Sequence, residues 1–238
     1  MHICQARWAA RLLTVVLITL VGVLTLAPDS QAAVRRKVAP GRDHTLRASN
    51  HRDVRGPGES DDYRNLVVGN ALAGTILDAG PVKHGYRAVW VNGVDRCLWM
   101  PVDGQTLQTV SGKARHSCDT FEGLNVGTFA SRVNCLTGRK PACSPTNNGS
   151  PARIRTSRPG CAAVPAYGNV FPWRTGAQPR DQYGTIRHDY NVLWRYVTKD
   201  KRFVMVNDNH KRRDPTFAQT RPAGGHWFFV PAACIDLH

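Results

Sequence analysis

Residues 88–102 read AVWVNGVDRCLWMPV, and this stretch decides the fold class. Two runs of β-branched, aromatic and aliphatic residues flank Asn92-Gly93. Such runs suit a pleated, half-buried surface, and an Asn-Gly pair tolerates the positive φ that both central positions of a type I′ hairpin turn require. The stretch predicts a β-hairpin with a two-residue turn at Asn92 and Gly93.

The same texture continues outward. TIRHDYNVLWRYV (185–197) and RFVMVND (202–208) flank a turn at Lys199-Asp200, and WFFVPAACI (227–235) lies close to the end of the chain. Short apolar runs broken about every eight to twelve residues by Gly, Pro, Asn or Asp have the rhythm of sandwiches and small barrels. The expected fold is mainly β, with one or two small disulfide-stabilised barrels or sandwiches. Strand alternation places Trp194 and Tyr196 on one face and Arg195 on the other. Helix signals are poor; ARHSCDTFEGL (114–124) offers one turn or two.

Residues 1–33 have the layout of a cleavable export signal: Arg7 and Arg11, an apolar run from Leu12 to Leu26, then a polar, small ending at Ala32 and Ala33. The run is shorter than the roughly 20 residues that span a bilayer core, so no transmembrane segment is expected in the mature chain. The expected location is secreted, extracellular or envelope-associated. Residues 34–62 are rich in charge and poor in large apolar side chains, the composition of a disordered basic arm. A small β unit is expected over 63–135, a loop or linker over 136–160, and a second β unit over 161–238.

The cysteines fit export. Beyond Cys4, six remain: Cys97, Cys118, Cys135, Cys143, Cys161 and Cys234. An even number outside the cytoplasm suggests three disulfides, and no C-x-x-C pair favours zinc. The favoured pairings are Cys135 with Cys143 across the short CLTGRKPAC loop, Cys97 with Cys118 around one hairpin-sized unit, and Cys161 with Cys234.

The formal net charge is +15, and 25 of the 32 basic residues are Arg. A field of that sign attracts polyanions, and Arg forks match carboxylate and phosphate bidentately. An anionic cell-wall polymer or a peptide is the expected partner, ahead of nucleic acid; charge that serves solubility alone is the competing reading.

Catalytic signals are weak. His84, His116, His188, His210 and His226 lie in the folded part. A Cys–His hydrolase needs a thiolate beside a histidine, and Cys118 in a disulfide cannot supply one to His116. His188-Asp189 and Asp208-Asn209-His210 lack a full ligand set, and no nucleophile elbow occurs. No catalytic residue, metal or cofactor is expected. A hydrolase or nuclease using His188 or His210 is the alternative, and a disulfide-rich inhibitor or toxin is the second. Most tryptophans and tyrosines belong to a β core, because small β domains depend on large side chains. Trp173, Tyr183, Tyr190 and Arg187 are the ligand-binding candidates on a surface.

GGHWFFVPAACI (224–235) resembles the closing strand of bacterial SH3-like barrels, where an aromatic pair, a Pro and a short turn precede the last strand. YNVLWRYVTKDKRFVMVND (190–208) resembles the central hairpin of that family. The resemblance covers 181–236 and implies a five-stranded, partly open barrel that binds peptide or cell-wall glycan through aromatic residues without catalysis. The chain departs from the pattern in the length of the 207–225 loop and in Cys234. The reading is of a secreted, non-catalytic binding protein that contacts an anionic cell-wall glycan, peptide or other polymer.

Overall fold

The computed structural model describes residues 33–40, 43–50, 66–102, 107–133, 150–171, 178–208 and 227–237. Seven strands form the first sheet: β1 (Val34–Val38), β2 (His44–Arg47), β3 (Val67–Ala71), β4 (Ile76–Lys83), β5 (Tyr86–Val91), β6 (Cys97–Pro101) and β7 (Leu107–Thr109). They lie in the order β3-β2-β6-β5-β4-β1-β7. A four-residue helix, α1 (Val126–Phe129), leads into β8 (Ala130–Val133). The second sheet continues with β9 (Ser150–Ile154), β10 (Val164–Asn169), β11 (Arg180–Ile186), β12 (Tyr190–Thr198), β13 (Phe203–Asp208), β14 (Trp227–Pro231) and β15 (Ile235–Leu237). Its order is β11-β10-β14-β13-β12-β9-β15, with β8 also paired to β12. The fold is mainly β, with two antiparallel sheets.

The hairpin at 88–102 forms, but its turn is longer than the Asn-Gly pair predicts. Trp90 pairs with Cys97 and Val89 with Leu98, which leaves five residues between the strands. Gly93 takes φ +83° in a turn closed by the Val94 N–H and the Val91 carbonyl at 3.1 Å, and Asp95 takes φ +59°. Register explains the difference. A two-residue turn would pair Val89 with Arg96 and push a charge onto the buried face, because each strand face repeats every second residue. The longer loop keeps Arg96 out of the strand and buries Val94.

The first part of the basic arm forms two strands inside the first sheet. β1 pairs with β4 and β7, and β2 pairs with β3 and β6. Val38, Leu46 and Ala48 are its fully buried apolar side chains, with Ser49, His44 and Asn50 buried beside them, while Arg35, Arg36 and Lys37 stay partly exposed. Ladder hydrogen bonds and a few anchors therefore suffice where composition argues against order. Residues 51–62 of that arm lie outside the described residues. The linker expected at 136–160 holds β9, which pairs with β12 and β15; residues 136–149 lie outside the described residues. Residues 114–124 form no helix but an extended strap, because their backbone is held by the neighbouring sheet.

Alternation fails at Arg195. β12 carries a bulge there, with Trp194 opposite Val206 and Tyr196 opposite Met205. The extra residue turns Trp194 into one core and Tyr196 into the other. One core lies within the second sheet and draws side chains from every strand of its main path, among them Ile154, Val164, Ile186, Trp194, Val206, Phe228 and Ile235. The other joins the sheets: Leu46, Val68, Val89 and Leu98 of the first pack with Phe129, Tyr196, Met205 and Phe229 of the second half. Arg195 itself is buried, its guanidinium 5.6 Å from the Trp227 ring. Burial, and then the charge of Arg47, lowers its pKa to about 10.

Cys97 bonds Cys118, and Cys161 bonds Cys234, the two pairings favoured above. Cys135 and Cys143 lie outside the described residues. Among the described residues no helix is long and apolar enough to cross a membrane.

Candidate functional site: a histidine–tryptophan face on the first sheet

Antiparallel register lines up four residues across the outer face of the first sheet. Arg35 pairs with Asp78, Asp78 with Trp90, and Trp90 with Cys97. Directly opposed residues share a face, so the row presents a cation, a carboxylate, an indole and a disulfide sulfur side by side. Over it runs the 110–124 strap, pinned along its length. The Cys97–Cys118 bond fixes its middle, Trp99 Nε1 donates to the Glu122 carbonyl at 3.1 Å, and Leu124 N–H donates to the Ala48 carbonyl at 2.8 Å. The Trp99 and Phe121 rings stack beneath it, with centroids 5.8 Å apart.

Asp78 organises the site. One oxygen, Oδ2, accepts the backbone N–H of Arg115 at 2.9 Å and of His116 at 3.1 Å. The same oxygen meets His116 Nδ1 at 3.2 Å. The carboxylate is buried, whereas the His116 side chain is 44% exposed. On its other side the imidazole lies flat against Trp90, with centroids 4.3 Å apart and planes 10° apart. A carboxylate on Nδ1 selects the tautomer and leaves Nε2 as the nitrogen able to meet a ligand. Lys113 and Arg115 are exposed on the same strap, and Arg35 lies against Gly112.

An oriented histidine is half of a catalytic arrangement; the other half is a nucleophile. Cys118 is in its disulfide, and Ser117 Oγ accepts the Asp119 N–H at 3.3 Å. Neither is activated by His116. The face has the parts of a stacking and anion-binding surface: an aromatic plane, a donor and cations.

The sequence candidates fall elsewhere. Tyr183 and Tyr190 are 4% and 5% exposed and pack within the second core, so their rings present no face to solvent. Arg187 is exposed beside His188. Trp173 and His210 lie outside the described residues. His116 was visible as a histidine beside a cysteine, but its partner Asp78 is 38 residues away, and only strand register joins them. No group of three or more His, Cys, Asp or Glu gathers among the described residues in a way that could hold a metal.

Near Arg187 the charges are committed to one another. Asp189 accepts Thr156 N–H at 2.9 Å, Arg155 at 3.1 Å and Arg153 at 3.3 Å. Arg155 also binds Asp236 at 2.6 Å, and Arg158 reaches Asp236 and the Ala233 carbonyl. The Thr156 N–H, and then Arg155, hold the Asp189 carboxyl below the usual carboxylate range. A depressed folded pKa contributes stability that is present above the unfolded value near 3.9 and is lost as pH falls through the folded one. Asp189→Asn is therefore expected to shrink the fall in melting temperature between about pH 5 and pH 2, measured by circular dichroism. An unchanged acid limb would show that the network is not coupled to folding.

No family model matches the chain, and no curated protein matches it. Among solved structures, NlpC2 from Trichomonas vaginalis aligns over 87% of this chain and 49% of its own, at 7% identity and a TM-score of 0.24. The chain spans about half the length of that protein. A likeness of this size carries no argument about fold or activity.

Proposed function

We propose that this chain is an exported, non-catalytic binding protein whose first sheet contacts an anionic polymer, a cell-wall glycan or wall phosphate being the substrate class. The observation that carries the reading is the Trp90–His116 stack, fixed from behind by Asp78 and flanked by Arg35, Lys113 and Arg115. A flat aromatic pair suits a sugar face, and the surrounding cations suit its charges. Export is supported by the signal-like N-terminus and by two disulfides in a chain with no reactive sulfur among the described residues. The C-terminal sheet is read as an SH3-like module; β12 and β13 supply its hairpin, and β14 runs through a short 3-10 turn into β15.

The test is retention on purified cell wall and on immobilised anionic polymer across a salt series. Retention is expected at low salt and should fall steeply as salt rises, because released counterions drive such binding. Trp90→Ala and Arg115→Ala should each weaken it by roughly tenfold, the scale of one lost stacking or charge contact. Arg187→Ala, on the other sheet, should leave it unchanged. Arg115 is exposed, so its variant keeps the test valid if Trp90→Ala unfolds. Equal retention of all three, or none at low salt, would remove this face from the account.

A further inference from the structure

A second polar cluster lies where the two sheets meet, and it gathers carboxylates without a cation. β3 and β10 are stitched by two amides. Asn70 N–H donates to Asn169 Oδ1 at 2.7 Å, Asn169 Nδ2 donates to the Asn70 carbonyl at 3.0 Å, and Asn70 Nδ2 donates to the Gly168 carbonyl at 2.7 Å. Asn169 Nδ2 also donates to Asp181 Oδ2 at 2.6 Å, drawing that carboxylate to the junction. From the first sheet comes Asp43, just before β2. Its Oδ1 accepts Ala73 N–H at 3.0 Å, while its Oδ2 is buried with no hydrogen-bond partner.

Two neutral oxygens share that condition. The hydroxyl of Tyr183 and Oδ1 of Asn70 are buried without a partner, in residues each 4% exposed. Gly168 makes room for the phenol: a Cβ there would stand 2.7 Å from the Tyr183 oxygen. Asn70 faces Thr45 across the β2–β3 ladder, and strand alternation puts Asp43, two residues before Thr45, on the same face as Asn70. Neither carboxylate has a Lys or Arg partner among the described residues.

One buried water could bond the orphaned oxygens, as such waters do. Water leaves the repulsion between two carboxylates in place; a cation answers both needs. We propose that the junction binds a hard divalent cation of the calcium type, held by the carboxylates of Asp43 and Asp181 and by the neutral oxygens of Asn70 and Tyr183, and that the ion ties the two sheets together. The ligand chemistry selects the metal. An all-oxygen set mixing carboxylates with neutral oxygens suits calcium, which tolerates irregular geometry, whereas zinc prefers nitrogen and sulfur. Two carboxylates are few, so affinity should fall in the range of extracellular modules, with Kd of about 0.1 to 1 mM.

The experiment uses the purified chain with its disulfides formed. It is melted in EDTA, in calcium and in magnesium, and titrated with terbium while tyrosine and tryptophan are excited. Calcium should raise the melting temperature more than magnesium does, and terbium should give sensitised emission that calcium displaces. Asp181→Asn should weaken terbium binding by about tenfold or more, since charge count tunes these sites. Its melting temperature in EDTA should hold or rise, because a repulsive charge is gone; Asn also tolerates the positive φ of 57° at that position. Tyr183→Phe should weaken binding less. Identical melting in EDTA and calcium with no terbium emission would leave the gap to water and overturn the proposal. Binding that survives both Asp181→Asn and Asp43→Asn would overturn it equally.

Discussion

Tyr196→Ala is expected to cost about 3 to 5 kcal/mol of folding stability, the range for truncating a buried aromatic side chain. Tyr196 is fully buried on the face of β12 that looks toward the first sheet. Its ring meets Phe129 edge-on at 5.2 Å and Phe229 at 6.2 Å. Its hydroxyl donates to the Val67 carbonyl of β3 at 3.0 Å, a bond that crosses from one sheet to the other. Burial holds that hydroxyl protonated, far above its ordinary pKa. Tyr196→Phe keeps the packing and loses only the bond, so it should cost about 1 to 2 kcal/mol by orphaning a buried carbonyl. Urea unfolding read by tryptophan fluorescence and by circular dichroism measures both. If the sheets share a core, the two probes should move together. A loss under about 0.5 kcal/mol for Tyr196→Ala, the scale of a surface change, would mean that the sheets fold separately.

That shared core marks the limit of what the sequence shows. The strands themselves were legible, because β-branched and aromatic runs such as AVWV and RFVMV have few other ways to bury their side chains. The turn of the first hairpin departs from its local signal, since Asn92-Gly93 is locally ideal for two residues but the core demands that Val89 face Leu98. The bulge at Arg195 was invisible for a similar reason. Alternation is a local rule, whereas β12 must serve two cores at once, and one extra residue is how it turns from the first to the second. Residues 34–47 show the reverse failure. Their charge argues for disorder, yet a strand needs only backbone partners and one or two buried side chains, which β3, β4, β6 and β7 provide.

The site was less legible than the fold. His116 stands out beside Cys118, but Trp90 reads only as part of a hairpin strand, and nothing local distinguishes a tryptophan under a strap from one inside a core. The distinction comes from the Cys97–Cys118 bond, which brings the strap down onto the face, and from Asp78, which binds two of its backbone donors. As amphipathic aromatics, Tyr183 and Tyr190 read equally well as surface binding residues. The second sheet instead turns them inward, with Val192 and Val206 as neighbours in the same core.

The two disulfides should separate stability from binding. Replacing Cys161 and Cys234 together by Ser should cost about 4 kcal/mol, because in the chain-entropy account the cost of a lost crosslink grows with the loop it closes. The bond spans 73 residues and joins the entry of β10 to the turn before β15, so its loss frees most of the second sheet in the unfolded chain. The Cys97–Cys118 bond spans only 21 residues and should contribute about 3 kcal/mol. Function should rank the pairs the other way. Without Cys97–Cys118 the strap keeps its bonds to Asp78 but loses the anchor two residues beyond His116, so polymer retention should fall while the protein remains folded. The Cys161/Cys234 variant, tested at a temperature where it is still folded, should bind as the native chain does. Urea midpoints and low-salt retention measured on both variants decide the matter. Retention that tracks stability in both would show that the first-sheet face depends on global folding alone, and not on the local crosslink that holds His116 over Trp90.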